Sequence, residues 1–200
     1  IERLVFNAAQ GARLPDGSGV AYLSQDTRLD ARSDRPDSYS FFHGGAGRFK
    51  FSPTHEDIAC CCNPNATRLL PHYISHQWMR HNEGVAALLY GACELHTEIN
   101  GVNVQIDEIA DYPFEETIRF VICPERPVTF RLSLRQPAWS PLAHVTVNGE
   151  SVSAATQANL ITLDRCWSPG DEVSVTFTAP IEILPYPNGE YAVRRGALQY

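Results

Sequence analysis

The chain has 200 residues, 44% of them hydrophobic, with a formal net charge of −7 and an isoelectric point near 5.4. A chain of this size can bury one large core or two small ones. No basic run or stripe occurs, which argues against nucleic acids and anionic membranes as partners. No apolar run approaches the roughly 20 residues of a membrane-spanning helix. Because the sequence lacks an initial methionine and ends at Tyr200 inside a strand-like run, we expect a piece of a longer protein.

The first quarter of the chain contains few regular elements. Residues 2–10 have the apolar spacing of a helix end, and Gly11 is a typical stop residue. A short strand is predicted over Val20–Leu23. Residues 24–56 are polar and irregular, and so long a stretch inside a compact domain is usually functional or disordered. Because this stretch leads directly into a cluster of cysteines, we interpret it as an active-site loop.

Three consecutive cysteines, Cys60–Cys62, stand immediately before a predicted helix. Asn63 is a suitable N-cap, and Pro64 suits the first helical position, where no N–H is needed. The partial positive charge of a helix N-terminus favours thiolate over thiol, and the thiolate is the form that attacks electrophiles and binds metals. Disulfides between adjacent cysteines are strained. The cluster therefore favours a metal-binding or catalytic role, with inert burial as the alternative.

The helix after the cysteines is predicted over residues 63–80. Apolar and long side chains recur there at helical spacing, and Pro71 is expected to kink the helix. The positions that follow the i, i+3, i+4 pattern are Ala66, Leu69, Leu70, Tyr73, Ile74 and Gln77.

Several polar residues near the cysteines could take part in chemistry. His55 precedes them closely and is a candidate for orienting a substrate hydroxyl or a thiolate. Glu56 and Asp57 could act as an acid or a metal ligand, although an exposed loop pair is the simpler interpretation. His72 and His76 share one helix face, but no Glu stands where a metalloprotease helix would need it. We therefore interpret this pair as solvated or core histidines.

The rest of the chain has the period-two pattern of β-strands. Asn100-Gly101 separates two alternating apolar runs, which is the strongest short-range signal for a hairpin, and Asn148-Gly149 is a second such turn. Regularly spaced strands with turn residues between them predict a mainly β fold, an antiparallel β-sandwich. Residues 1–83 and 84–200 are the expected domains. The further strands predicted are Ile118–Ile122, Val128–Leu134, Val145–Val147, Leu160–Leu163, Val173–Phe177 and Tyr191–Leu198.

Five residues of the predicted sandwich have both a structural and a functional interpretation. Cys93, Cys123 and Cys166 are scattered among strands, where free cysteines usually behave as small buried hydrophobic residues. Trp139 and Trp167 lie near turns, and we interpret them as core side chains rather than as platforms for stacking a sugar.

A series of short motifs occurs in the order and at the spacing of a known family. They are Leu14-Pro15-Asp16-Gly17, Cys61-Cys62-Asn63-Pro64-Asn65, Asp111-Tyr112-Pro113-Phe114, Pro137-Ala138-Trp139-Ser140, Val145-Thr146-Val147-Asn148-Gly149, Trp167-Ser168-Pro169-Gly170-Asp171 and Arg195-Gly196-Ala197-Leu198. By these motifs nearly the whole chain resembles the β-L-arabinofuranosidase family, glycoside hydrolase family 127 and its relatives.

The resemblance implies a fold and an activity. Members of the family have an (α/α)₆ catalytic barrel followed by β-sandwich domains, so residues 1–83 would be the end of an incomplete barrel with its active-site loop. Residues 84–200 would be a β-sandwich that is truncated at its C-terminal end. The implied activity is the retaining cleavage of terminal L-arabinofuranose or a related sugar, with plant-type arabinosides or similar glycans as substrates. No nucleic acid or membrane is expected as a partner.

The resemblance also implies roles for individual residues. Cys61 would be both the nucleophile and a zinc ligand, and Cys62 would be the adjacent zinc ligand. Ala59 stands where the first cysteine of the family motif is expected, and Cys60 fills the next position. The acid/base Glu and the other zinc ligands are expected before Ile1, so the isolated chain should be inactive. The alternative is a non-catalytic carbohydrate-binding or accessory β-sandwich.

Overall fold

In the computed structural model of this protein, the residues described are 1–11, 19–21, 49–51, 62–185 and 189–200. They belong to two compact units. The first unit consists of Ile1–His72, Ile183–Ala192 and Gln199, and the second of Tyr73–Glu182, Val193–Leu198 and Tyr200. Both large β-sheets lie in the second unit.

The first unit begins with a helical segment. Its π-helical part spans Leu4–Ala9, in agreement with the predicted helix end. Val5 is buried whereas Leu4 is exposed, and the side chain of Asn7 accepts the backbone N–H of Gln199 at 2.7 Å. The short strands β1 (Gly19–Ala21) and β2 (Phe49–Phe51) pair antiparallel. The other residues of the expected active-site loop, 24–48 and 52–56, lie outside the described residues.

Helix α1 spans Cys62–Ser75, so its start agrees with the predicted helix over about 63–80, whereas the predicted end was wrong by five residues. Asn63 and Pro64 lie inside its first turn, and Asn63 is not the N-cap. Proline is nevertheless tolerated in a first turn, because the N–H groups there have no acceptor within the helix. The helix continues through Pro71 and ends soon after it. The chain then changes direction and starts a strand at Trp78.

In the described residues, fourteen strands follow α1. They are β3 (Trp78–His81), β4 (Gly84–Ala87), β5 (Cys93–Ile99), β6 (Val102–Ile109), β7 (Thr117–Pro124), β8 (Val128–Arg135), β9 (Ala143–Val147), β10 (Glu150–Ser151), β11 (Ala155–Gln157), β12 (Leu160–Trp167), β13 (Asp171–Phe177), β14 (Ile181–Pro185), β15 (Tyr191–Arg195) and β16 (Leu198–Gln199). A single strand was predicted over Tyr191–Leu198. The chain instead turns at Gly196, where φ is +58°, and forms β15 and β16.

Two sheets make up the sandwich. The six-stranded sheet has the order β10-β9-β13-β7-β6-β5, and the five-stranded sheet has the order β11-β12-β8-β4-β3. Strands β4 and β8 pair in parallel, whereas the other strand pairs of these two sheets are antiparallel. A further three-stranded sheet has the order β14-β15-β16. The prediction of a mainly β, antiparallel sandwich is confirmed.

Alternation along the strands builds the core of the sandwich. In β6, Val102, Val104 and Ile106 are buried, and polar residues alternate with them on the outer face. Trp78 of one sheet meets Phe120 of the other edge to face, with ring centroids 5.7 Å apart. Such aromatic pairs add to the free energy that burial itself contributes.

The two predicted Asn-Gly hairpin turns are confirmed. Asn100 and Gly101 have φ values of +52° and +71°, and they connect β5 to β6. Asn148 and Gly149 have φ values of +52° and +81°, and they connect β9 to β10. Two successive positive φ angles are the requirement of the type I′ turn, which Asn-Gly satisfies best.

Candidate functional site

The cysteine cluster falls at the edge of the described structure. Cys62 is the first residue of α1, and its backbone alone is described. Cys60, Cys61 and His55 lie outside the described residues, as do the neighbouring acidic residues at 56 and 57. The helix therefore begins at the thiols, as the sequence predicts, and its first turn contains no acidic residue. The roles predicted for Cys61, Cys62 and His55 stay predictions.

The C-terminal end of α1 is held by the segment that connects β4 to β5. Tyr73, which is buried, donates its hydroxyl to the carbonyl oxygen of Tyr90 at 2.9 Å. Gln77 is also buried, and its backbone carbonyl accepts the N–H groups of Leu88 and Leu89. Its side-chain amide donates to the carbonyl oxygen of Gly91 at 3.0 Å. Two side chains at the helix end are thus fixed on one short segment.

The same segment contacts a buried carboxyl group. Glu108 is 2% exposed and lies on the same face of β6 as the buried apolar residues Val104 and Ile106. Its Oε1 accepts the backbone N–H of Gly91 at 2.9 Å, and the thiol of Cys93 donates to its Oε2 at 3.6 Å. The nearby indole Nε1 of Trp78 is buried and has no hydrogen-bond partner in the described part of the chain. An acidic residue thus lies within the sandwich core.

Burial changes the acid–base properties of this pair. Desolvation raises the pKa of Glu108 to about 7, although the N–H of Gly91, the thiol of Cys93 and the proximity of Trp78 act in the opposite direction. Desolvation, followed by the negative charge of Glu108, raises the pKa of Cys93 to about 11. Cys93 is therefore a poor nucleophile at neutral pH, whereas Glu108 can be neutral or ionised.

Among the three scattered cysteines, the prediction of small buried residues was wrong for Cys166, which is exposed. Cys93 and Cys123 are half-buried, and all three thiols are free. Cys166 lies near the end of β12, where Arg165 and Cys166 are exposed and Trp167 is buried. Cys166 has the opposite parity to the buried Leu163 and Trp167, so period-two alternation assigns it to the outer face, and the general tendency of cysteine to be buried gave the wrong expectation.

Trp167 and the two histidines fit their structural interpretations. Trp167 is fully buried and presents no open platform for a sugar, whereas Trp139 is half-buried and packs edge to face on Phe177 with centroids 6.0 Å apart. His72 and His76 are exposed on α1 and in the turn after it. Within the described residues, no three His, Cys, Asp or Glu side chains are grouped so that they could hold a metal ion. No helix described here is long and apolar enough to span a membrane.

Sequence analysis did not identify Glu108 as a candidate. The signal was nevertheless present, because Val102, Val104, Ile106 and Glu108 share one face of an alternating strand. Glutamate side chains are usually exposed, which favours the surface, whereas the position of Glu108 in the alternating pattern favours the core. In the structure Glu108 is buried, as its position in the alternating pattern indicates.

Comparison with known proteins connects this fold to glycosidases. The family model of the β-L-arabinofuranosidase GH127 middle domain matches residues 84–179. A GH127 β-L-arabinofuranosidase from Geobacillus stearothermophilus T6 is 32% identical with a TM-score of 0.65, and the match covers 70% of this chain and 24% of that chain.

Two further solved structures are similar. A protein described as a glycoside hydrolase is 27% identical with a TM-score of 0.72, and the match covers 99% of this chain and 32% of that chain. A GH127 β-arabinofuranosidase is 22% identical with a TM-score of 0.60, over 70% of this chain and 26% of that chain, which shows a likeness of fold. No curated protein matches the chain. The chain spans about a quarter to a third of the length of these solved relatives.

Proposed function

Because this chain belongs to glycoside hydrolase family 127, we propose that it carries the nucleophile of a retaining glycosidase that removes terminal L-arabinofuranose or a related sugar. In this proposal residues 1–83 are the end of the catalytic barrel with its active-site loop, and residues 84–200 are the β-sandwich that follows. A plant-type arabinoside or a similar glycan would be the substrate.

One observation carries the proposal: α1 begins at Cys62, directly after Cys61, and the matched middle domain follows this helix in the chain. Backbone N–H groups at a helix start carry a partial positive charge that favours a thiolate. The first turn holds no carboxylate that would weaken this effect.

Zinc is the metal that the family resemblance implies, and the donor set suits it. Adjacent thiols are typical zinc ligands, and zinc, when bound, keeps thiols deprotonated. Cys61 and Cys62 are the residues that would hold it. A tetrahedral site needs further ligands, which the family resemblance places before Ile1.

In the proposed reaction, the Cys61 thiolate attacks the anomeric carbon of the sugar. The glycosidic C–O bond breaks as the C–S bond forms, and the leaving oxygen takes a proton from an acid that the family resemblance places before Ile1. Water then attacks the same carbon and gives its proton to the conjugate base of that acid, and the thiolate leaves. Two inversions give net retention. His55 would bind a sugar hydroxyl during both steps.

The experiment is a set of cysteine variants in a complete enzyme. The chain replaces the matching region of the Geobacillus stearothermophilus relative, and hydrolysis of an aryl β-L-arabinofuranoside is measured. Cys61→Ser should lower kcat by about 10³-fold or more, since a nucleophile is lost. Cys166→Ser, which changes an exposed thiol of β12, is the matched control and should leave kcat unchanged.

The other outcomes separate the alternatives. Loss of activity in Cys60→Ser, with activity kept in Cys61→Ser, would move the nucleophile back by one residue. Normal activity in all three variants of Cys60–Cys62 would reject the proposal and favour a non-catalytic carbohydrate-binding or accessory domain. Denaturing mass spectrometry of the enzyme mixed with a slow substrate should find a glycosyl group on the peptide that contains Cys61.

A further inference from the structure

A single peptide group is held from two sides in the connection between β4 and β5. The carbonyl oxygen of Tyr90 accepts the hydroxyl of Tyr73 at 2.9 Å, and the N–H of Gly91 donates to Oε1 of Glu108 at 2.9 Å. Both groups belong to the peptide bond between Tyr90 and Gly91. Hydrogen bonds that share one peptide polarise each other. Glu108 is therefore linked through one peptide to the last turn of α1.

A second contact strengthens this link. The carbonyl oxygen of Gly91 accepts the side-chain amide of Gln77, which lies two residues beyond the end of α1. A Cβ at Gly91 would lie 2.7 Å from the same amide nitrogen, so the Gln77 side chain packs directly against the backbone of Gly91. The backbone of Gly91 thus lies between Glu108 on one side and the residue that follows the helix on the other.

The surroundings of Glu108 contain no cation among the described residues packed against it. Strand β5 presents the thiol of Cys93, and β7 presents Phe120 at the position paired with Glu108. Strand β3 presents Trp78, and the β4–β5 connection presents the Gly91 N–H. The neighbouring carboxylates Glu94 and Asp107 occupy alternate positions, which lie on the outer face of the sheet. An ionised Glu108 has the Gly91 N–H and the weak thiol donor of Cys93 as hydrogen-bond partners, with the indole N–H of Trp78 close by, and no cation of the described residues balances its charge.

We propose that Glu108 is a proton-operated positioning residue for the end of α1. In its neutral form it remains in the core and holds the Tyr90–Gly91 peptide, and with it Tyr73 and Gln77. In its charged form it requires water or a counter-cation, so the sandwich opens at this end and the support of α1 loosens. This device is independent of the cysteine chemistry.

The direction of the pH effect follows from linkage. The carboxyl pKa is about 7 in the folded chain and 4.5 as its ordinary value, so the folded state binds the proton more tightly. Stability from this group is fully present below pH 4.5 and is lost as the pH rises through 7. Between pH 5.5 and 8.5 the unfolding equilibrium constant should increase roughly 30-fold on account of Glu108.

The test compares Glu108→Gln with the unchanged chain, because a glutamine retains the shape of a neutral carboxyl group and does not titrate. Urea unfolding, followed by tryptophan emission, is measured from pH 5.5 to 8.5. At each pH, the unfolding constant of the unchanged chain is divided by that of Glu108→Gln. We expect this ratio to rise about 30-fold from pH 5.5 to 8.5. Taking the ratio cancels the titration of histidines that both chains contain. Asp107→Asn, the matched control on the outer face of β6, should keep the pH profile of the unchanged chain.

The outcomes are decisive in both directions. Parallel pH profiles for the unchanged chain and Glu108→Gln would overturn the proposal. A second measurement needs no variant: amide hydrogen exchange at Leu88, Leu89 and Gly91, corrected for intrinsic rates, should accelerate between pH 6 and 8 relative to β13. Unchanged protection at these three amides would also overturn it, even if Glu108→Gln failed to fold.

Discussion

The indole N–H of Trp167 donates to the carbonyl oxygen of Phe130 at 3.0 Å, and the centroids of the two side-chain rings lie 5.8 Å apart. Trp167 is fully buried at the end of β12, next to β8. The hydrogen bond satisfies the one polar atom of the largest side chain in the core. A residue that could have served as an exposed sugar platform is therefore a structural element of the sandwich.

Replacing Trp167 by Phe removes this donor and part of the packed volume. The carbonyl of Phe130 loses a partner and a cavity forms, so we expect the free energy of unfolding to fall by about 2–4 kcal/mol. Urea unfolding measures the change. Arg165→Ala is the comparison, since Arg165 is exposed and its guanidinium lies 5.2 Å from the centre of the Trp167 ring, so its loss should cost clearly less. Equal losses in both variants would contradict the importance of the indole hydrogen bond.

Gly84 makes a close contact that no other residue can make. A Cβ on Gly84 would overlap the backbone carbonyl of Arg131 on β8, the parallel partner of β4. Gly84→Ala should therefore destabilise the chain by on the order of 3 kcal/mol or more, because one strand must move. Gly101→Ala is the matched control: Gly101 has φ of +71° but open space around it, so strain of about 1–2 kcal/mol is expected. Thermal unfolding of the two variants distinguishes overlap from backbone strain.

The described cysteines should differ widely in reactivity. Cys166 is exposed, whereas Cys93 is half-buried with its pKa raised to about 11 by burial and by Glu108. At pH 8 only about one Cys93 in a thousand is a thiolate. Timed labelling with iodoacetamide, read by peptide mass spectrometry, should modify Cys166 at least about 100-fold faster. Comparable rates would mean that Cys93 is more open than its contacts imply.

Zinc content gives a further check on the cysteine cluster. The chain supplies Cys61 and Cys62 as proposed ligands, and a structural or catalytic zinc usually has three or four protein ligands. Chain purified without chelator should contain clearly less than one zinc per molecule by elemental analysis. Cys62→Ser should lower the content further, and Cys166→Ser should leave it unchanged. One tightly bound zinc per chain would show that other residues complete the site, with Cys60, His55 and Asp57 the first to test.

Local signals predicted much of the sandwich. Both Asn-Gly turns could be located from sequence, since their positive φ angles depend on the two residues themselves. The end of α1 could not. Gln77 continues the helical spacing of Tyr73 and Ile74 and is buried as that pattern requires. Its burial, however, arises from contacts with the β4–β5 connection and not from a helix face.

The features that sequence analysis did not predict depend on contacts between distant parts of the chain. The core position of Glu108 depends on Gly91 and on β5, and the pairing of Gly84 with Arg131 depends on a strand far along the chain. The catalytic proposal depends on Cys61, for which sequence pattern and family resemblance are the sources. Periodicity can assign a residue to a face, but it does not identify the partner across that face.

The parallel pairing of β4 with β8 also limits the order in which the sandwich can fold. Strands β5, β6 and β7 lie between them in the chain, and the β5–β6 and β6–β7 hairpins close short loops. Loop-closure entropy favours these local pairings first, and their formation shortens the effective path between β4 and β8. The β3–β4 pair would then join the five-stranded sheet after the folding transition state. Destabilising changes at Gly84 should therefore accelerate unfolding much more than they slow folding.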